Sequence, residues 1–138
     1  MRVVLDTNVV VSALIWGGTP FRLLEAAIEG DVLLHTTREL LIELRDVLGR
    51  PHLATRLTRQ GSSIQHALAL YSQLAISVTP ASVPPVVIDD PDDDHVIAAA
   101  VAANADLIVS GDRHLLALGT HGTIRIVTPA DALLVIMA

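Results

Sequence analysis

The chain has 138 residues, a formal charge of −6, no cysteine, and arginine alone among its nine basic residues. That length suits one domain, expected to span 1–138, able to bury roughly two thirds of its unfolded surface. The missing cysteines exclude a disulfide framework and thiolate metal sites and point to a reducing cytoplasm, while the missing lysines exclude Schiff-base chemistry and the phosphate-gripping lysine of nucleotide-binding loops.

Although 51% of the residues are hydrophobic, apolar runs reach only about eight residues, far short of a bilayer span, so no membrane segment is expected. The first segment, Arg2 to Asp6 (RVVLD), reads as a strand. The N-terminal run MRVVLDTNVVVSALIWGG is basic and then apolar, but Asp6 interrupts it and no small-residue cleavage site follows, so no secretion signal is expected. Thr19-Pro20 starts a helix, through a cap and a first-turn proline, and Gly30 stops it. Asp31 to Thr36 (DVLLHT) is the second strand, followed by the helix TRELLIELRDVLG. Ser62 or Ser63 opens another helix, SSIQHALALYSQLA, and Ala75 to Thr79 (AISVT) is the third strand.

Pro80 to Pro85 (PASVPP) is too short to divide domains and reads as a loop leading into DDPDDD, five carboxylates in the six positions Asp89 to Asp94. The helix HVIAAAVAAN comes next, then strands at Asp106 to Ser110 (DLIVS) and Ile124 to Thr128 (IRIVT), and Thr128-Pro129 opens a last helix. Strands apolar on both faces, alternating with helices, predict an α/β fold. The expectation is a three-layer α/β/α sandwich on a mostly parallel sheet of about five strands.

The acids acquire meaning on that frame. Asp6 ends the first strand and Asp112 lies just past DLIVS, so both fall at carboxyl edges of parallel strands, where open α/β sheets form their sites. Asp94 stands at the start of its helix. In TRELLIELRDVLG, Leu40, Leu41, Leu44, Val47 and Leu48 form the buried stripe. Glu43 lies about 40° from its edge and Glu39 about 80°, so Glu43 is the one that leans inward. Helix capping accounts for one or two of the acids in DDPDDD, but five adjacent like charges repel unless a cation is present. An oxygen-only, carboxylate-rich cluster suits Mg²⁺ or Mn²⁺ rather than zinc.

LDTNV at Leu5 to Val9, the helical Glu in LLIEL, D-x-x-I-A-A at Asp94 to Ala99 and VSGD at Val109 to Asp112 occur in an order and spacing that resemble the PIN-domain ribonucleases, especially the bacterial VapC-type toxins. The resemblance runs from Met1 to about Pro129. It implies that Asp6, Glu43, Asp94 and Asp112 are catalytic, metal-binding acids, with Thr7 or Asn8 and Ser110 as polar supports. It also implies a divalent-ion-dependent cut of an RNA phosphodiester, a homodimer and a cognate antitoxin protein gripped in a hydrophobic groove. The helices at Ser62 to Ala75 and Thr19 to Glu29 are the candidate contact surfaces. In one respect the chain departs from the family: Asp112 is followed by Arg113, His114 and Leu115, where another acid or an aromatic is common, and the number of ions stays open.

Phosphate contacts beyond the metal must come from arginine. Arg45, Arg50, Arg56 and Arg59, around GRPHLATRLTR, and Arg113 are the candidate RNA contacts, against the alternative that they are simply solvated. His95 and His114 each flank a candidate acid, but a metal-activated water needs no histidine base. A rival reading is a catalytically silent binding module with a structural cation. A phosphatase is disfavoured because Asp6 is followed by Thr7 and Asn8 and no D-x-D pattern is formed.

Overall fold

The computed structural model describes residues 1–82 and 91–138, and of 91–93 the backbone alone. In chain order these residues form β1 (Arg2–Leu5), α1 (Thr7–Ile15), α2 (Gly18–Ile28), β2 (Leu33–Thr36), α3 (Arg38–Leu48), α4 (Pro51–Arg59), α5 (Ile64–Leu74) and β3 (Ile76–Ser77). Then follow α6 (Pro91–Ala103), β4 (Leu107–Val109), α7 (Arg113–Leu118), β5 (Thr120–His121), β6 (Ile124–Val127) and α8 (Pro129–Ile136). The sheet order is β3-β2-β1-β4-β6-β5. All neighbours are parallel except β5 and β6.

Alternation along each strand divides the core in two. Val3 and Leu5 of β1 join Leu34, Leu107, Val109 and Val127 on the face covered by α1, α2, α5 and α8. Val4, Ile108 and Ile126 point the other way, against Val96, Ile97, Ala99 and Ala100 of α6 and Leu115 of α7. This is the expected α/β/α sandwich, and it explains why the strands read as continuous apolar runs: each is buried on both faces. Full burial of each such aliphatic side chain stabilises the fold by about 1.5–3 kcal/mol.

Local details differ from the sequence reading. The helix expected to start at Thr19-Pro20 begins at Gly18, after Gly17 at φ 76, and has no side-chain cap. Pro20 still lies in the first turn, where its missing N–H leaves no helical bond unmade. Asp94 is not the first residue of its helix, because α6 starts at Pro91. Among the described residues the sheet has six strands, against the about five expected, since Thr120–His121 adds a short antiparallel edge to β6. From the acidic stretch, Asp89 and Asp90 lie outside the described residues, as do Val83 to Pro85 of the preceding loop and the side chains of Asp92 and Asp93. The loop's described start is held to α6, because Ala81 N donates to Ala98 O at 3.1 Å. No single helix among the described residues is long and apolar enough to cross a membrane.

Candidate active site

The strand order reverses between β1 and β4, its neighbour on the side away from β2, and the carboxyl ends of two such strands frame the crevice in which α/β sheets bind ligands. The buried polar residues gather there. Of Asp6, Thr7, His35, Thr36, Thr37 and Ser110, all but His35 lie at or just beyond the carboxyl end of β1, β2 or β4.

Asp6 is placed from both sides. Its N–H donates to Val109 O at 2.9 Å, so it continues the pairing of β1 with β4. Its side chain caps α1, Oδ1 accepting from Thr7 N at 2.8 Å. One residue, 6% exposed, thus ends a strand and starts a helix. Ser110, wholly buried, donates from Oγ to Asp6 Oδ2 at 2.7 Å and accepts from Asp112 N at 2.9 Å. Asp112 caps α7, its Oδ1 accepting from His114 N at 2.7 Å and Leu115 N at 3.3 Å. A single hydroxyl therefore links the Asp6 carboxylate to the backbone amide of Asp112 across the switch point. Both lie at helix N-termini, whose partial positive charge offsets part of the repulsion between them. Beside Asp6, the Thr7 hydroxyl is buried with no hydrogen bond among the described residues, and Asn8 is exposed.

Helices that connect parallel strands run back along the sheet, so their first turns return to the same edge. That places Asp94, half-buried in the first turn of α6. On α3, whose start is capped by the buried Thr37 accepting from Leu40 N at 3.2 Å, Glu43 leans inward as its helical phase requires. Its Oε2 is buried while Glu39, one turn earlier, is exposed. Two adjoining grooves carry these acids. One, of about 300 Å³, is lined by Thr37, Glu39, Ser82, Asp94 and His95. The other, of about 390 Å³, is lined by Glu39, Glu43, Asp46, Arg50 and His95. They share Glu39 and His95 as a common wall.

The structure thus joins the candidate acids as a bridged pair, Asp6 with Asp112, and sets Glu43 and Asp94 along adjoining grooves. Among the described residues, no three His, Asp or Glu side chains converge into a metal-holding group. Thr37 and Glu39 line the site without having been singled out from sequence. For Thr37 the signal was present, a Thr directly before an apolar-periodic helix; for Glu39, helical phase pointed away from the core and gave no hint of the groove.

The arginines separate. Arg45 Nε lies 3.7 Å from Asp46 Oδ1 on the surface. Arg50 lines the groove that holds Glu43. The Arg56 guanidinium stands over the Trp16 ring, 4.3 Å from its centroid. Arg59 is exposed, and so is Arg113, which directly follows Asp112.

Compared with curated proteins, the chain gives no match. Compared with families of domains, residues 2–114 match the one described as PIN domain, a stretch that contains Asp6, Glu43, Asp94, Ser110 and Asp112. With most of its length matched, and with an α/β sandwich that sets Asp6 and Asp112 at the switch point of a parallel sheet, the chain belongs to the PIN-domain family and carries that family's nuclease fold.

Proposed function

We propose that this protein is a metal-dependent endoribonuclease, the toxin half of a toxin–antitoxin pair, working in the cytoplasm as a single domain of residues 1–138. The observation that carries the reading is the Asp6–Ser110–Asp112 bridge at the β1/β4 switch point. Burying the Asp6 carboxylate is unfavourable unless a cation or hydrogen bonds compensate its charge, and Asp112 follows at the same sheet edge. A buried Thr7 hydroxyl with no hydrogen bond among the described residues suits a site that is completed by a bound group.

The donors fit a hard divalent ion. They are all oxygen, and Mg²⁺ characteristically takes only one or two carboxylates while keeping several waters or substrate oxygens, so acids arranged in pairs meet its need. Asp6 and Asp112 would hold it, with Glu43 and Asp94 completing the set or engaging a second ion. When bound, Mg²⁺ or Mn²⁺ supplies Lewis acidity toward water and phosphate and cancels the charge that four acids would otherwise turn toward RNA. The chain's own contribution is orientation. Thr7 N and Ser110 Oγ each take one lone pair of Asp6 and fix its plane. The α7 amides hold Asp112 through Oδ1, leaving Oδ2 clear of the cap.

Partner binding has its own support. An apolar groove of about 290 Å³ between α2 and α5 is lined by Phe21, Leu24, Ile28, Leu70 and Leu74. Of these, Ile28 is 66% exposed, an unusual position for an isoleucine in a small domain. This is the surface we assign to the antitoxin peptide and to a second copy of the chain.

The test is cleavage of a mixed-sequence RNA by purified protein in Mg²⁺ or Mn²⁺, with EDTA as control. Cleavage should require the ion and be abolished by Asp94→Asn while Asp93→Asn keeps most of it. Persistence in EDTA, or an Asp94→Asn protein that cuts as well as the parent, refutes the reading.

A further inference from the structure

We infer that one flank of α4, together with Trp16, is a nucleic-acid track leading away from the cleft: Arg50, His52, Arg56 and Arg59 meet the phosphates and Trp16 stacks on a base. The inference rests on the ribonuclease reading, and adds where the RNA lies and which residues hold it.

Three observations carry it. The first is helical phase. Leu53 and Leu57 are the buried residues of α4, while His52, Arg56 and Arg59, at i, i+4 and i+7, are exposed and fall within about 60° of one another on one flank. In a chain with a net charge of −6, a flank carrying two arginines and a histidine and no acid is a local reversal of sign, which anionic backbones recognise.

The second is continuity. Arg50, the N-cap residue of α4, lines the same groove as Glu43. The helix therefore begins at the candidate site, and its nine residues carry the cationic flank about 13 Å away from it.

The third is the aromatic plate at the far end. Trp16, the sole tryptophan, is 59% exposed, with Arg56 over one face of its ring at 4.3 Å. The plate is braced from below, since Gln60 Nε2 donates to Ile15 O at 2.7 Å and ties the end of α4 to the end of α1. A guanidinium on one face of an indole that is 59% exposed leaves ring surface open to take a base, the pairing of charge and π-surface that single-stranded nucleic acid uses. Arg45 is outside the track because it lies on α3 beside Asp46, 3.7 Å from its Oδ1.

The test uses the full-length protein in EDTA with a 12-nucleotide mixed-sequence RNA carrying a 3′ fluorophore. Anisotropy of the label gives Kd, and emission of Trp16 is read at the same time; gels establish that the RNA stays whole. RNA should quench Trp16. Trp16→Ala should weaken binding about five-fold or more, and Trp16→Phe, which keeps a ring, by less. Arg56→Ala and Arg59→Ala should each weaken binding and lower the slope of log Kd against log salt by about one, whereas Arg45→Ala should leave both unchanged. Circular dichroism checks that each variant is folded, and Arg59→Lys, which keeps the charge, should bind nearly as well as the parent.

RNA that binds without quenching Trp16, with a Kd indifferent to Arg56→Ala and Arg59→Ala, overturns the track. So does an acidic peptide such as oligoglutamate that quenches Trp16 as strongly at equal charge, since the surface would then fit a protein. The two readings fail separately. Binding through α4 without Mg²⁺-dependent cleavage refutes only the nuclease, and cleavage unaffected in KM by the α4 variants refutes only the track.

Discussion

Replacing Ser110 by alanine removes one oxygen and two hydrogen bonds, the donation to Asp6 Oδ2 at 2.7 Å and the acceptance from Asp112 N at 2.9 Å. The first, to a carboxylate, contributes about 1.5–3 kcal/mol if that group is charged; the second, neutral to neutral, about 0.5–1.5 kcal/mol. Ser110 is 0% exposed, so bulk water does not take the place of the hydroxyl, and a methyl group leaves too little room for an ordered one. The α1 and α7 N-termini soften the loss by holding both carboxylates, which argues for the middle of the range, about 3 kcal/mol. For a domain of this length that lowers Tm by about 10 °C. Urea unfolding should show a lower midpoint at unchanged m, and Ser110→Cys, with its weaker donor, should fall between alanine and the parent. RNA cleavage at a temperature where the variant is fully folded should fall as well, because Asp6 loses one of the bonds that fix the plane of its carboxylate. A Tm within about 2 °C of the parent refutes the claim that this hydroxyl links Asp6 to the Asp112 amide.

Other expectations follow from buried polar groups and from the α3 helix. Tyr71 is buried with its hydroxyl unbonded among the described residues, and burial pushes its pKa up and keeps it protonated. Such a group costs about 1–3 kcal/mol, so Tyr71→Phe should raise stability by about 1 kcal/mol in urea; a loss of that size would show that the hydroxyl has a partner. His35 has a pKa below 6.5, chiefly because burial penalises the charged ring, opposed by its bond to Leu33 O and reinforced by Arg2. The unfolded chain then takes up the proton first as pH falls, so this contribution to stability is whole above pH 6.5 and is lost as pH falls through the lower folded value. Urea midpoints between pH 8 and 5 should decline for the parent and decline less for His35→Gln; parallel curves contradict the assignment. Finally, Glu43→Gln should remove most Mg²⁺-dependent cleavage and Glu39→Gln little of it, and equal losses would mean that the exposed acid matters as much as the half-buried one.

Much of this architecture was legible because its signals are periodic. Glu43 was separated from Glu39 by helical phase alone, and the strands declared themselves by burial on both faces. Asp6 and Asp112 were placed at one sheet edge because each followed an apolar run. Legibility ended where long-range contact decides the outcome. The three consecutive valines of α1, Val9 to Val11, lose rotamer freedom in a helix, and the helix stands because all three are buried. The dual role of Asp6 depends on Val109 and Ser110, over 100 positions away, and no local pattern reports such pairs. Helix α7 and strand β5, six and two residues long, are too brief to show a period. The plate formed by Trp16 and Arg56 joins two helices 40 positions apart, so composition revealed the scarcity of aromatics but not where the one tryptophan would stand.

The two margins of the sheet have a consequence for the protein at high concentration. Among the described residues, both outermost strands, β3 and β5, are two residues long, while the longer and more apolar β1 and β4 are enclosed between neighbours. A margin of two residues offers an incoming chain almost no ladder of free amide and carbonyl groups. Misassembly by strand addition therefore has little to template on, even though half the sequence is hydrophobic. Growth into fibrils would first require β3 or β5 to detach, so mild destabilisation at the margins, rather than crowding of the native protein, is where insolubility should begin.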